Sequence, residues 1–145
     1  MKTSSEQDDS NFENLADQAL NAMRLHAGEL HITGVAVVAY SKGEVIESWI
    51  SKMLVIGRLA GLPSEKDPAG ANYLGIAYTK AAEMADTLKH SDSNIRPPKK
   101  GEYGWQGGAV TKGQTGYLFA AFSGGPSADD LKVANTGLEI LAKAL

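Results

Sequence analysis

Cysteine is missing from the chain entirely. Its absence removes disulfide frameworks, thiolate nucleophiles, iron–sulfur clusters and cysteine zinc sites from consideration. An excess of positive charge is missing too, because 14 Lys and Arg stand against 17 Asp and Glu, a formal balance of −3. The sequence therefore offers no footprint for a nucleic-acid backbone or an anionic membrane surface, and neither partner is expected. The longest apolar runs, Val35 to Tyr40 and Met53 to Ile56, fall far short of the roughly 20 residues that span a bilayer. The opening residues, MKTSSEQDDS, contain no apolar core of an export signal, and a cytoplasmic location is the expectation.

What is present suits one globular domain: 43% apolar and 21% charged residues over 145 positions. A chain of this length buries enough surface to hold a core without covalent staples. The expected division is an N-terminal tail over 1–10 and a single domain over 11–145.

Periodicity places the elements. Phe12, Leu15, Ala16, Ala19, Leu20, Met23 and Ala27 recur at helical spacing, which predicts a first helix over 11–27. Ser10 with Glu13 reads as its capping box and Gly28 as its stop. The β-branched run Thr33 to Tyr40 reads as a central strand, and 44–50 as its hairpin partner, with an extension through Met53 to Leu59. The stretch 57–70, rich in Gly and Pro, reads as a loop. Leu74, Ala77, Tyr78, Ala81, Met84, Ala85 and Leu88 predict a second helix, and HSDSNIRPPKKG over 90–101 a second long loop. Eight of the 16 glycines lie between Gly101 and Gly125. Among them GAVTK and GYLFAAFS read as a second antiparallel hairpin. Leu131, Ala134, Leu138, Leu141 and Leu145 predict a closing helix that starts at Ser127. The residue pattern thus yields three helices and four strands of an α+β domain.

Chemical motifs are sparse. His26, His31 and His90 fall in neither H-x-x-x-H nor H-E-x-x-H spacing, so no metal centre is expected. GYGWQGG lacks the spacing of a dinucleotide or phosphate loop. No serine lies in a G-x-S-x-G elbow, and catalytic residues stay unassigned. The Ser123-Gly124-Gly125-Pro126 turn reads as helix capping rather than an anion site, because Asp129 and Asp130 follow it. Arg96, Lys99 and Lys100 precede Tyr103 and Trp105. Such cations would hold the acid groups of a flat ligand while the aromatics stack on it. The competing reading is an ordinary solvated loop.

The run Gly116 to Leu141, with AAFSGGPSADDLKVANTGLEIL inside it, resembles the closing strand, Ser-Gly-Gly turn and helix of the GlcG/HbpS-like family of haem-binding proteins. Ser123, Gly124, Gly125, Asp130 and Gly137 occupy the matching places. On the second helix Ala77, Lys80 and Ala81 match the family's A-x-x-K-A pattern, with Glu83 where a Thr is usual. The resemblance implies a profilin-like or roadblock-like fold: a five-stranded antiparallel sheet flanked by helices in the order α-β-β-α-α-β-β-β-α. It also implies homo-oligomers and, in some members, haem.

The leading expectation is therefore a non-enzymatic, homo-oligomeric accessory protein that binds a small ligand, haem or a related planar anionic cofactor. Its binding residues would be His90, Arg96, Lys99, Lys100, Tyr103 and Trp105. One rival is a small enzyme acting on a carboxylate or corrinoid metabolite, with His90 or Glu83 as proton carrier. Another is a structural subunit that binds only copies of itself or a partner.

Overall fold

A computed structural model describes residues 4–145. Its elements are α1 (Ser4–Glu29), β1 (Gly34–Lys42), β2 (Ile50–Ile56), α2 (Tyr73–Thr87), β3 (Gly108–Lys112), β4 (Gly116–Ser123) and α3 (Ser127–Ala142). The strands form one antiparallel sheet in the order β2-β1-β4-β3.

The five-strand expectation is overturned: the sheet has four strands, and three helices accompany it. Between α2 and β3 the chain takes neither the further helix nor the further strand that the family order calls for. The cause is local. Leu88 turns left-handed at φ 56° to end α2, Asp92 and Asn94 do the same at φ 66° and 60°, and Pro97-Pro98 removes two consecutive backbone donors.

Alternation along the two central strands builds the core. Ala36, Val38 and Tyr40 of β1 join Leu118, Ala120 and Phe122 of β4 under α1 and α3. Val35, Val37, Ala39, Phe119 and Ala121 face the other way, toward Ala77 and Met84 of α2. Two helices thus cover one face and one helix the other, which explains why β1 is apolar at every position from Val35 to Tyr40. Gly137 allows α3 its close approach to α1, since a Cβ there would collide with Met23.

Three boundaries differ from expectation. Helix α1 begins at Ser4 rather than near Asn11, so the helix takes in most of the expected tail. Its early polar residues have partners: Gln7 donates to Asn11 across one turn, and Asp9 pairs with Lys42 at 3.0 Å. Gly28 lies inside α1, and the left-handed exit falls at His31, φ 57°. The partner of β1 is Ile50–Ile56 rather than 44–50, because β1 pairs Tyr40 with Ile50 and Gly34 with Ile56. No described helix is long and apolar enough to cross a membrane.

Candidate functional site

Helix α2 starts cleanly. The Asn72 side chain accepts the Gly75 N–H at 3.0 Å, and from that start Tyr73, Ile76 and Lys80 fall on one helical face. That face meets the end of β4. There Ser123-Gly124-Gly125 turns into α3, and the turn is too tight for side chains: a Cβ on Gly124, at φ 138°, would strike the Thr33 carbonyl.

The result is a pocket of about 330 Å³ walled by Tyr73, Ile76, Trp105, Gly124, Gly125 and Ser127, with Lys80 and Asp130 contributing to it. This volume sits at the small end of the roughly 300–1,000 Å³ typical of ligand pockets. Lys80 and Asp130 are only 3% and 5% exposed. The Lys80 ammonium donates to the Phe122 carbonyl at 2.7 Å and to Asp130 Oδ2 at 3.2 Å. Asp130 Oδ1 accepts the Gly125 N–H at 2.9 Å. Gly107 packs against the same ammonium, and a Cβ there would collide with it.

Burial governs the electrostatics of this pair. It pushes the Asp130 carboxyl up to about 6, against the opposing pull of Lys80 and the Gly125 N–H. It also lowers Lys80, although Asp130 works to raise it. Both shifts follow from the same desolvation, which penalises each charge more than the pairing restores. The arrangement can present a hydrogen-bond donor from Lys80 and can take up or release a proton at Asp130 near neutral pH.

The capping reading of the turn is half right. Pro126 is the N-cap of α3 and supplies no side-chain bond. Asp130, from the first turn, reaches back to Gly125 instead. Its negative charge, which argued against an anion at this turn, is matched by Lys80.

The six residues singled out from the sequence do not gather around one pocket. Arg96 grips Glu102 through two bonds at 2.8 and 2.9 Å and reaches Asp86 at 2.7 Å. Glu102, which also accepts the Lys99 N–H, is held down to about 2, chiefly by the Arg96 bonds. The Lys99 ammonium lies 3.6 Å from Asp86, and Lys100 is exposed. His90 Nδ1 accepts the Val110 N–H at 3.1 Å. Tyr103 and Trp105 stack on each other at 4.4 Å and 18°. Only Trp105 lines the pocket.

This arrangement does not fit haem between those residues. The guanidinium that would meet a propionate is engaged by two carboxylates, and the aromatic faces that would flank a porphyrin are pressed together. Glu83, the other proposed proton carrier, is buried and accepts the Asp92 N–H at 2.9 Å. Among the described residues, no group of three or more His, Cys, Asp or Glu gathers in a way that could hold a metal ion.

A larger groove of about 410 Å³ runs between α1 and β2. Its polar residues are exposed and satisfied by each other: Lys52 holds Asp17 at 2.9 Å, and Arg24 donates to Asn21 at 2.6 Å. It has no buried charge, and we place the site at the smaller pocket.

Residue reading by itself missed the Lys80–Asp130 pair. Two signals were in view: a lysine in the middle of the otherwise apolar stripe of α2, and an aspartate five positions after the Gly-Gly turn. No protein-family model matches the chain, and no curated protein matches its sequence.

Proposed function

We propose that this chain is a small-ligand-binding protein whose site is the pocket over Lys80 and Asp130. One observation carries the reading: an ion pair shielded from water stands at a pocket, with one of the three ammonium protons given no protein acceptor. A ligand oxygen could accept the ammonium proton that the Phe122 carbonyl and Asp130 leave over. The resemblance noted above supports the same place, since Lys80, Gly124, Gly125 and Asp130, which carry it, build this pocket.

The proposal extends to a homo-oligomeric accessory role. Strand β2 is an edge of the sheet, and Val55, Leu59 and Leu62 near it are exposed. Such an edge suits association with another copy, and light scattering across a dilution series tests it.

Acid–base catalysis in the same pocket is the second reading. The perturbed Lys80–Asp130 pair favours it, with Asp130 as the proton carrier. His90 and Glu83 do not serve there, because neither lines this pocket.

The test is amide NMR of the full chain against a library of small polar fragments. Fragment-dependent shifts at Gly107, Gly124 and Gly125 are expected. A library that leaves all three unmoved overturns the assignment of the site.

A further inference from the structure

We propose that the pocket takes a neutral ring that carries several hydroxyls, a monosaccharide or a cyclitol, with its oxygens on Ser123 and Lys80 and its C–H face against Trp105. This inference rests on the pocket being a ligand site and adds the chemical class of the ligand.

Neutrality follows from the ion pair. Lys80 and Asp130 meet at 3.2 Å and sum to zero, and Asp129 adds a second acid to the first turn of α3. An anion would face those two aspartates, and a cation would face the Lys80 ammonium. Either would also bring an unmatched charge to a pair that is at most 5% exposed, where such a charge is heavily penalised. A ligand without charge leaves the balance as it is.

The hydroxyls follow from groups that the protein leaves unmatched. Ser123 is 4% exposed and lines the pocket, and among the described residues its hydroxyl has no hydrogen-bond partner. The Tyr73 hydroxyl on the same wall has none either. Ser127 adds a third hydroxyl at the exposed rim. Each of these groups both donates and accepts, whereas the N–H that Lys80 has left over only donates. A ligand that answers all of them needs several oxygens that accept and several O–H groups that donate in return. Neighbouring alcohols supply both.

The ring follows from the other wall. Trp105 is half exposed at the pocket, and Tyr103 stacks on one face of its indole. Ile76 adds aliphatic surface from α2. A sugar or cyclitol ring presents C–H groups to such an aromatic and aliphatic wall while its hydroxyls point to the polar one. About 330 Å³ admits a single ring.

The test is NMR of the full chain titrated with glucose, galactose and myo-inositol, beside glucuronate and cyclohexanol. At least one of the three neutral polyols should shift the Gly124 and Gly125 amides and the Trp105 indole N–H saturably, and which of them does so separates a sugar from a cyclitol. Glucuronate adds a charge to the ring and should bind at least about tenfold more weakly than the best polyol. Cyclohexanol keeps the ring with one hydroxyl and should fall short by a similar factor. Ser123→Ala should weaken the polyol about three- to tenfold and leave urea unfolding unchanged, since its hydroxyl has no partner within the protein. Glucuronate or cyclohexanol binding as tightly as the best polyol, or full affinity in Ser123→Ala, overturns the proposal. If no polyol saturates while other fragments shift the Gly124 and Gly125 amides, the polyol class is wrong and the pocket assignment stands. If no fragment shifts them, both fall.

Discussion

Helix α2 carries two ion-pair systems, and they behave in opposite ways. Lys80, in its middle, meets Asp130 where both side chains are at most 5% exposed. Asp86, near its end, meets Arg96 at the surface, and Arg96 also holds Glu102 in a two-pronged grip. In the first system burial pushes the acid up and the base down. In the second the bonds dominate, and the Glu102 carboxyl falls to about 2. The surface grip closes on itself and leaves nothing for a ligand. The buried pair, formally simpler, keeps a donor and an exchangeable proton at a pocket. Proximity of opposite charges is common to both, so solvent access separates a structural clasp from a candidate site.

The largest effect that would break this contrast is expected from Lys80→Met. It strands Asp130 in the interior with only the Gly125 N–H, and loss of one member of a buried pair costs about 3–5 kcal/mol. Urea unfolding at pH 7 should show that loss. The double variant Lys80→Met/Asp130→Asn should recover most of it, because the neutral amide still accepts from Gly125. If the double variant is as unstable as the single, the pair is a clasp like that of Arg96 and the contrast collapses.

The next prediction concerns sign. A carboxyl raised from 3.8 to about 6 lends stability that is full below 3.8 and lost as pH rises through 6. A carboxyl lowered from 4.5 to about 2 lends stability that is present above 4.5 and lost as pH falls through 2. The stability difference between the parent chain and Asp130→Asn should therefore shrink as pH rises from 4 to 6. The difference between the parent and Glu102→Gln should shrink as pH falls from 4.5 toward 2. Parallel curves for the two variants would show that burial does not set the two systems apart.

These two systems also mark how far the sequence could be read. The central strands β1 and β4 were legible because each is a short, nearly continuous apolar run bounded by turn residues, and so were the two hairpin pairings in outline. The start of α1 was not, because its first turns carry no apolar stripe and are held instead by contacts such as Asp9 with Lys42, 33 residues away in sequence (42 − 9 = 33). The stretch 90–101 was legible as a loop through its prolines. The cations within it looked free because Asp86 belongs to the preceding helix and Glu102 reads as one more surface acid. Lys80 and Asp130 lie 50 residues apart, and only the packing of α2 against the β4–α3 turn brings them together. The fifth strand came from the resemblance and not from the residues, whose own pattern contained four.

A smaller effect is expected from Arg96→Met. The network it removes is partly buried but no member is enclosed like Lys80, so global unfolding should change less than in Lys80→Met. The loop over 88–107 would keep its ties from Ser91 to Gly108 and from His90 to Val110, but would lose the bonds that fold 96–102 back on α2. Limited proteolysis should then cut between Arg96 and Trp105 several times faster than in the parent. Unchanged cleavage would mean that the grip on Glu102 holds nothing in place.

The smallest effect, and the sharpest control on the role of burial, lies at Ser41. Its hydroxyl is enclosed, with the residue 1% exposed, and has no hydrogen-bond partner. Unlike Lys80 it lines neither the pocket nor the groove described above, so its unmet hydrogen bond is a penalty of packing. Ser41→Ala removes the polar atom at nearly constant volume and should leave the protein as stable as before or more stable by up to about 1 kcal/mol. Fragment-induced shifts at Gly124 and Gly125 should be untouched by it. A loss of stability on this substitution would show that an unpartnered polar group in this interior is held by something other than protein, and the same explanation would then extend to the free N–H of Lys80.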